Sequence, residues 1–304
     1  MVLPLLLAFA LDSLAVQVGE VTVVAPPSLE ALATTLAEGA GQVRDWPGIG
    51  RVAPPPFTLV LAPDSAALAR LTRGRAPAWG AGVAFPAART ILLRADLPEL
   101  PRTLRHELAH LVLRERVKAR VPLWFDEGYA AWASGELERF VNLELNLAVA
   151  GGRLPSLDRL DAMLRGSARS ADVAYALAAS AVAEVARRTP EGDLSRLLER
   201  LGPGEVFDSA LVASTGLTPG RFEETWQREL RLRYSLVTWF VASGLWLFMA
   251  LLVGAAVYAR RRRDRPRRAA LDVGWPEPPT EEDEPPPASG NPAPEAVDQP
   301  PSRH

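Results

Sequence analysis

Hydrophobic and polar positions along the chain predict strands in the first third and helices in the rest. Short apolar runs bounded by proline or polar residues predict strands over residues 21–24, 57–61 and 90–94. Apolar positions at helical spacing predict helices over residues 28–38, 64–71, 102–117, 136–150, 171–188 and 193–201, with a further helix that begins at Pro122. Strands followed by helices indicate an α+β fold, with a β-containing N-terminal part and a helical C-terminal part.

Two uncharged stretches stand out from this pattern. Residues 1–10 are apolar and residues 13–15 resemble a small-residue cleavage site, so we predict a secretory signal peptide over residues 1–15. The alternatives are a first strand and a membrane anchor that is not cleaved. Residues 236–259 carry no charge and reach the length of about 20 residues that spans a bilayer. We predict one transmembrane helix there, with a buried core helix as the alternative.

A run of arginines after residue 259 predicts the orientation of this helix. Residues 260–263 are all arginine, and such clusters beside a membrane span lie on the cytoplasmic side. We therefore predict an extracytoplasmic domain over residues 16–234 and a cytoplasmic segment over residues 260–304, at a bacterial cell membrane. Residues 269–304 are rich in proline and acidic residues and are predicted to be disordered.

Composition excludes several classes of function. The 304 residues include no cysteine, which excludes a disulfide scaffold, a zinc–thiolate site and thiol catalysis. Beside a predicted membrane span, the arginine run indicates topology rather than nucleic-acid binding, so we predict no nucleic-acid partner. Arginine supplies nearly all of the positive charge, and proline and alanine are abundant, which is typical of a GC-rich bacterial genome.

The strongest chemical signal is the string H-E-x-x-H at residues 106–110. Only three histidines occur, and two of them, His106 and His110, are four residues apart on a predicted helix whose N-cap we place at Thr103. Positions i and i+4 share one helix face, so both imidazoles can bind one divalent metal ion, and Glu107 can reach a water on that metal. The alternative is a helix with two ordinary polar histidines and a surface glutamate.

A second motif supplies a third candidate ligand. Residues 124–130 read W-F-D-E-G-Y-A, and a turn and a returning helix can bring Glu127 to the two histidines. Catalytic zinc sites commonly combine two histidines with one glutamate and leave one position for water. Together the two motifs resemble those of the gluzincin metallopeptidases, and most closely the peptidase MA-like domains of bacterial surface proteins. The resemblance implies Glu127 as the third zinc ligand, with Asp126 as the competing carboxylate.

The resemblance to gluzincins extends over residues 77–234 and implies further roles. Tyr175, at the start of a predicted alanine-rich helix, is similar to the gluzincin tyrosine that donates a hydrogen bond to the oxyanion, although a core tyrosine is the alternative. Residues 80–85 carry no acid where the aminopeptidases of this clan hold the substrate's free amine, which favours an endopeptidase. Ala130 and Ala131 occupy the positions where thermolysin-like enzymes orient the first histidine with an aspartate. The strand over residues 90–94 is either a sheet edge that pairs with a peptide or an ordinary buried strand.

These observations predict a membrane-anchored zinc peptidase that acts on a peptide or protein substrate. Zn²⁺ would be bound by His106, His110 and Glu127, with Glu107 as general base and Tyr175 as oxyanion donor. Two alternatives remain: an inactive pseudo-peptidase that only binds peptides, and a structural surface protein without zinc.

Overall fold

The computed structural model describes residues 13–76, 79–136, 145, 149, 154–234 and 236–272. It divides the chain into two units, Met1–Ala242 and Ser243–His304. The strands of the first unit are β1 (Leu14–Val18), β2 (Val21–Ala25), β3 (Asp45–Trp46), β4 (Gly50–Arg51), β5 (Phe57–Ala62), β6 (Gly82–Phe85) and β7 (Thr90–Arg94). The strands predicted over residues 21–24, 57–61 and 90–94 are confirmed as β2, β5 and β7.

Five of these strands form one mixed sheet in the order β1–β2–β5–β7–β6. β2, β5 and β7 are parallel, with Val21 opposite Phe57 and Thr58 opposite Thr90. β1 and β6 are antiparallel to their neighbours and close the two edges. The suggestion that residues 90–94 form an edge strand is therefore wrong, because β7 pairs on both sides and its first four residues are buried. The edge strand at this end of the sheet is β6.

The helices have the following bounds: α1 (Glu30–Gln42), α2 (Ser65–Thr72), α3 (Leu100–Arg116), α4 (Leu123–Ala133), α5 (Leu157–Leu164), α6 (Ala168–Arg188), α7 (Ser195–Leu201), α8 (Phe207–Thr215), α9 (Pro219–Tyr234) and α10 (Leu236–Asp272). Most of the helix predicted over residues 136–150 lies outside the described residues. The fold is mixed α/β and mostly helical, and its strands precede most of its helices.

The sheet separates two hydrophobic cores. On one face, side chains of α2 pack with Val60, Ala62 and Leu92 in a small core. On the other face, Leu59, Leu61 and other sheet residues join the large core formed with α1, α3, α4 and α6. Because both faces of the central strands are buried, β5 and β7 are nearly continuous apolar runs.

Two helix starts differ from the sequence prediction. The N-cap of α3 is Glu99, in the left-handed region at φ 62°, so Thr103 lies within the helix and is not its cap. Pro101 occupies the first turn, where its missing N–H costs nothing. α6 starts at Ala168, which places Tyr175 about two turns into that helix and not at its beginning.

The predicted transmembrane helix over residues 236–259 is not supported. Within the part of the chain that the structure describes, no helix is both long enough and apolar enough to cross a membrane. α10 runs for 37 residues through the arginine run to Asp272, so residues 269–272, assigned to the disordered segment, are helical. The rest of that segment, residues 273–304, lies outside the described residues, as do residues 1–12 of the predicted signal peptide.

Candidate metal centre

Helix α3 carries the two histidines on its inner face. Leu104, Leu108 and Leu111 bury the neighbouring positions against the core, which fixes the rotation of the helix. His106 and His110 then lie one turn apart, with their ring centroids separated by 5.1 Å. Both side chains are only 11% exposed, so the imidazoles face the interior of the domain rather than solvent.

Helix α4 brings Glu127 to these imidazoles. The first turn of α4 is capped from α5, where Asp161 accepts hydrogen bonds from the backbone N–H groups of Leu123 at 3.4 Å and Trp124 at 2.7 Å. The ring of Trp124 stacks on Phe222 in the core. These contacts hold the first turn of α4 in place, and so they fix the direction of the Glu127 side chain.

Glycine at position 128 lets α4 approach α6 closely. A Cβ atom placed there would lie 2.5 Å from the carbonyl oxygen of Ala178. Any larger residue would therefore push the two helices apart. Since α6 carries Tyr175 three residues before Ala178, Gly128 sets the position of that tyrosine relative to Glu127.

Three side-chain atoms converge as ligands of one metal ion. The Oε2 atom of Glu127 lies 3.5 Å from Nε2 of His106 and 3.7 Å from Nε2 of His110, and all three ligand atoms lie within 4.8 Å of one another. In a tetrahedral zinc site with bonds of about 2.0–2.1 Å, neighbouring ligand atoms are about 3.3 Å apart. The set of two imidazoles and one carboxylate therefore fits zinc in both chemistry and spacing.

The outer nitrogen of each imidazole faces a second carboxylate. Nδ1 of His110 lies 2.9 Å from Oδ1 of Asp126, at hydrogen-bond distance. Nδ1 of His106 is buried and has no aligned hydrogen-bond partner among the described residues, and Oε1 of Glu136 lies 3.4 Å from it. Carboxylates in these positions orient a metal-binding imidazole and make it a stronger ligand.

Glu136 reaches His106 through a turn that ends α4. Gly135 adopts φ +79°, the left-handed conformation that reverses the chain after a helix and favours glycine. Arg105 holds the end of α4 against α3, because its Nε donates to the carbonyl oxygen of Ala133 at 2.5 Å. The turn therefore returns Glu136 to the histidines.

The buried charges shift the pKa values of both histidines upward. Burial by itself lowers the pKa of His110, but the negative charges of Asp126 and Glu127 outweigh it and raise that pKa to about 9. Burial opposes the charge of His106 as well, yet Glu136 and Glu127 raise the pKa of this imidazole well above 6.5. The site therefore has a surplus of negative charge, which favours a bound cation.

Glu107 is also buried, and the pKa of its carboxyl group is raised as well, but here burial itself is the cause. Burial raises the pKa of Glu107, and the positive charges of His106 and His110 only partly offset that increase. A carboxylate with a raised pKa is a better proton acceptor at neutral pH. A Cβ atom at Gly82 of β6 would lie 2.5 Å from Cδ2 of Leu93 and 3.0 Å from Oε1 of Glu107, so the glycine lets β6 approach Glu107 closely.

Tyr175 faces the same cluster from α6. Its ring centroid lies 6.0 Å from that of His106. Burial and the negative charges of Glu127 and Glu107 raise the pKa of the Tyr175 phenol, so the hydroxyl stays protonated and can donate a hydrogen bond. Two clefts, of about 370 and 250 Å³, meet at the centre and share Gly82, His106, Glu107 and Tyr175.

The structure brings together all five residues singled out in the sequence: His106, Glu107, His110, Glu127 and Tyr175. Asp126, considered there as a competing ligand, contacts the outer nitrogen of His110 instead. Glu136 was not predicted, because the resemblance implies an orienting acid one turn after Glu127, where Ala130 and Ala131 stand. The signal that could have found it is the Ser-Gly-Glu sequence that follows α4, since a glycine at a helix end predicts a reversal.

A family model described as the peptidase MA superfamily matches residues 71–231, which is more than half of the chain and includes the zinc-ligand candidates and Tyr175. No curated protein matches the chain.

Proposed function

Because the chain belongs to the peptidase MA superfamily, we propose that it is a zinc-dependent endopeptidase. The observation that carries this proposal is the convergence of His106, His110 and Glu127 with Glu107 and Tyr175 at the junction of two clefts. Membership of the superfamily supports a peptidase, and the spacing of the three ligand atoms supports zinc.

Each side chain of the centre would have a distinct role in hydrolysis. His106, His110 and Glu127 would hold the zinc ion, with Asp126 and Glu136 orienting the imidazoles. When bound, zinc supplies Lewis acidity and a water whose pKa is lowered to about 7. Glu107 would accept the proton of the attacking water and pass it to the leaving amine. Tyr175 would donate its phenol proton in a hydrogen bond to the oxyanion of the tetrahedral intermediate.

Edge strand β6 is the element best placed to hold a peptide. Gly82, Val83 and Ala84 of this strand line the cleft that contains the histidines and Glu127. An extended peptide can add to a free sheet edge through its main chain, which does not depend on sequence. Because Gly82 lets β6 approach Glu107 closely, a peptide paired with this edge would bring its scissile bond near that carboxylate. Clefts on both sides of the centre support cleavage within a chain rather than at its end.

The decisive experiment combines metal analysis with a peptide-library cleavage assay on the purified protein. We expect about one zinc ion per chain and hydrolysis of some library peptides. Glu107→Gln should keep the zinc ion and lose hydrolysis, whereas His110→Ala should lose most of the zinc.

The same variants test the alternatives. A pseudo-peptidase would bind zinc and peptides, but the wild-type protein would cleave no more than Glu107→Gln. A structural protein would contain no zinc. Unchanged zinc content in His110→Ala would contradict the ligand assignment.

Location outside the cytoplasm stays a prediction from the sequence, and N-terminal sequencing of protein from fractionated cells would test export.

A further inference from the structure

A groove continues from the catalytic clefts along helix α3. His106, His110 and Arg114 are spaced four residues apart, so one face of α3 carries the two histidines and then an arginine. The cleft that holds the histidines shares Pro86 and Asp126 with a neighbouring hollow of about 570 Å³. That hollow shares Pro55, Arg89 and Glu115 with a further one of about 470 Å³. We call these two hollows the basic groove.

Positive charge predominates in the basic groove. Its cations are Arg89, Arg114 and Arg116, and its acids are Glu115 and Asp126. Asp126 is already engaged by His110 at 2.9 Å. Among the described side chains, therefore, only Glu115 is left to balance three exposed guanidinium groups.

The ion pair within the groove is open to solvent and can be exchanged. Arg89 and Glu115 are 3.4 Å apart, and their side chains are 49% and 56% exposed. Such exposed pairs are weak, so an incoming carboxylate can replace Glu115 at small cost. The side chain of Arg116 has no polar partner within the described part of the chain. Both guanidinium groups are thus available to a ligand.

The walls between these charges are apolar and stiff. Pro55 and Pro56 line the groove together with Val52, which is 40% exposed although it is hydrophobic. Proline has a fixed φ and little conformational entropy to lose. A groove with this lining suits an extended chain whose side chains alternate between carboxylates and small apolar groups.

We propose that the basic groove binds an acidic segment of the peptide or protein substrate, continuous with the segment that occupies the catalytic clefts. The proposal rests on the proposed peptidase function, since the occupant is the substrate's own chain. Two observations support it. The groove is continuous with the catalytic cleft through Pro86 and Asp126, and arginines outnumber acidic residues in the groove. Substrate selection then depends on acidic residues at one side of the scissile bond, and it weakens as salt rises.

A cleavage assay tests this selection. Each cleavable library peptide is extended at its N-terminus or its C-terminus by eight residues of alternating Glu and Ala, or by a matched Gln and Ala extension. We expect the acidic extension to raise kcat/KM about threefold to tenfold, through KM and at one end only, as two exposed charge pairs would. Arg89→Gln/Arg116→Gln should remove the difference and leave hydrolysis of the Gln-extended peptide unchanged.

A matched control carries the same loss of charge elsewhere. Arg221 is ion-paired with Glu224 at 3.1 Å, as Arg89 is with Glu115. Arg228, like Arg116, has no polar side-chain partner among the residues described. Arg221→Gln/Arg228→Gln should keep the advantage of the acidic extension. The proposal is overturned if the acidic extension gives no advantage, or if both double variants lower it equally.

A binding assay separates this proposal from the proposed function. Fluorescence anisotropy would follow the labelled Glu–Ala octapeptide on zinc-loaded Glu107→Gln protein, in low salt and in 0.5 M salt. Binding that is lost in Arg89→Gln/Arg116→Gln and in high salt supports the groove even if no peptide is hydrolysed. Equal binding of the Gln–Ala octapeptide would show that charge does not select the ligand and would overturn the proposal, even if peptides are cleaved.

Discussion

Two carboxylates outside the proposed ligand set, those of Asp126 and Glu136, face the outer nitrogens of the two candidate imidazole ligands. Asp126 precedes Glu127 directly, so α4 supplies the proposed ligand and the acid that contacts His110 from adjacent positions. Glu136 comes from beyond the helix and faces a histidine nitrogen that is buried and otherwise without a hydrogen bond among the described residues. A buried polar group left without a partner is costly. We therefore expect Glu136 to contribute to metal affinity.

Replacing Glu136 with Ala should weaken zinc binding without unfolding the domain. The variant leaves Nδ1 of His106 facing no carboxylate, and the loss of such a partner typically lowers metal affinity about 10- to 100-fold. Competition with a chromogenic chelator measures the change, and Glu136→Gln, which keeps an acceptor oxygen, should lie between Ala and wild type. Glu205→Ala, which removes an acid paired only with Arg200 among the described residues, is the control. Equal affinity in the Glu136 and Glu205 variants would contradict the role.

Tyr175→Phe should reduce kcat about 100- to 1000-fold, because a single oxyanion donor has an effect of that size. KM and zinc content should change little, since the phenol acts mainly on the transition state. Steady-state kinetics on zinc-loaded protein measure both constants.

Tyr129→Phe is the matched control for this variant. The hydroxyl of Tyr129 donates to the carbonyl oxygen of Pro47 at 3.2 Å, so its loss should lower stability by about 1 kcal/mol and leave kcat near wild type. Near wild-type kcat in a folded, zinc-loaded Tyr175→Phe protein would remove Tyr175 from the mechanism.

At the scale of elements, the contact between α4 and α6 decides the geometry of the site. α4 carries Glu127, α6 carries Tyr175, and the two helices touch where Gly128 meets the backbone of Ala178. Gly128 is thus required by packing and not by its backbone torsion, since its φ is helical. The distance between Glu127 and Tyr175 therefore depends on this contact.

Gly128→Ala should therefore destabilise the protein although alanine is the better helix former. The added methyl would lie 2.5 Å from the carbonyl oxygen of Ala178, and overpacking of this kind costs about 1–3 kcal/mol. Gly39→Ala in α1 is the control, because nothing lies within 4 Å of its Cβ position and the change should stabilise by up to about 1 kcal/mol. Urea denaturation compares the free energies of unfolding, and a stabilising Gly128→Ala would refute the close contact.

At the scale of the whole molecule, the metal centre links stability to pH. The centre lies between the sheet and the helical core, with Glu107, Asp126, Glu127 and Glu136 around two histidines. The folded pKa of His110 is about 9, above its usual 6.5, so its protonation stabilises the metal-free fold fully below pH 6.5. That stabilisation is lost as pH rises through about 9.

A rise in pH should consequently lower the stability of the metal-free protein but raise the affinity for zinc. From pH 6.5 to 9.5 the chelator-treated protein should lose up to roughly 3 kcal/mol of stability through His110, which lowers its Tm. Zinc affinity should rise over the same range by about tenfold per pH unit for each proton displaced, because a protonated imidazole cannot bind metal. Calorimetry and chelator competition at four pH values check both trends. Zinc affinity that does not change with pH would contradict the raised pKa values.

The sequence by itself determined the spacing of the candidate metal-binding histidines and much of the secondary structure. His106, Glu107 and His110 follow from helical periodicity, which is local: positions four apart share a face in any helix. Strand β7 was predicted with its correct bounds, since a short apolar run between turn residues depends on neighbours only. The α/β order along the chain and the superfamily resemblance rest on the same local patterns.

Only the tertiary structure decided the relations between distant segments. Glu136 reaches His106 because Gly135 reverses the chain after α4. The periodicity of the sequence does not predict the direction of the chain after such a reversal. β6 rather than β7 is the sheet edge because strand pairing is nonlocal, so the apolar pattern of residues 90–94 is the same whether one neighbour or two are present. The basic groove likewise joins residues of separate segments. Local patterns specify elements, whereas the contacts that orient ligands and shape clefts form only when those elements pack.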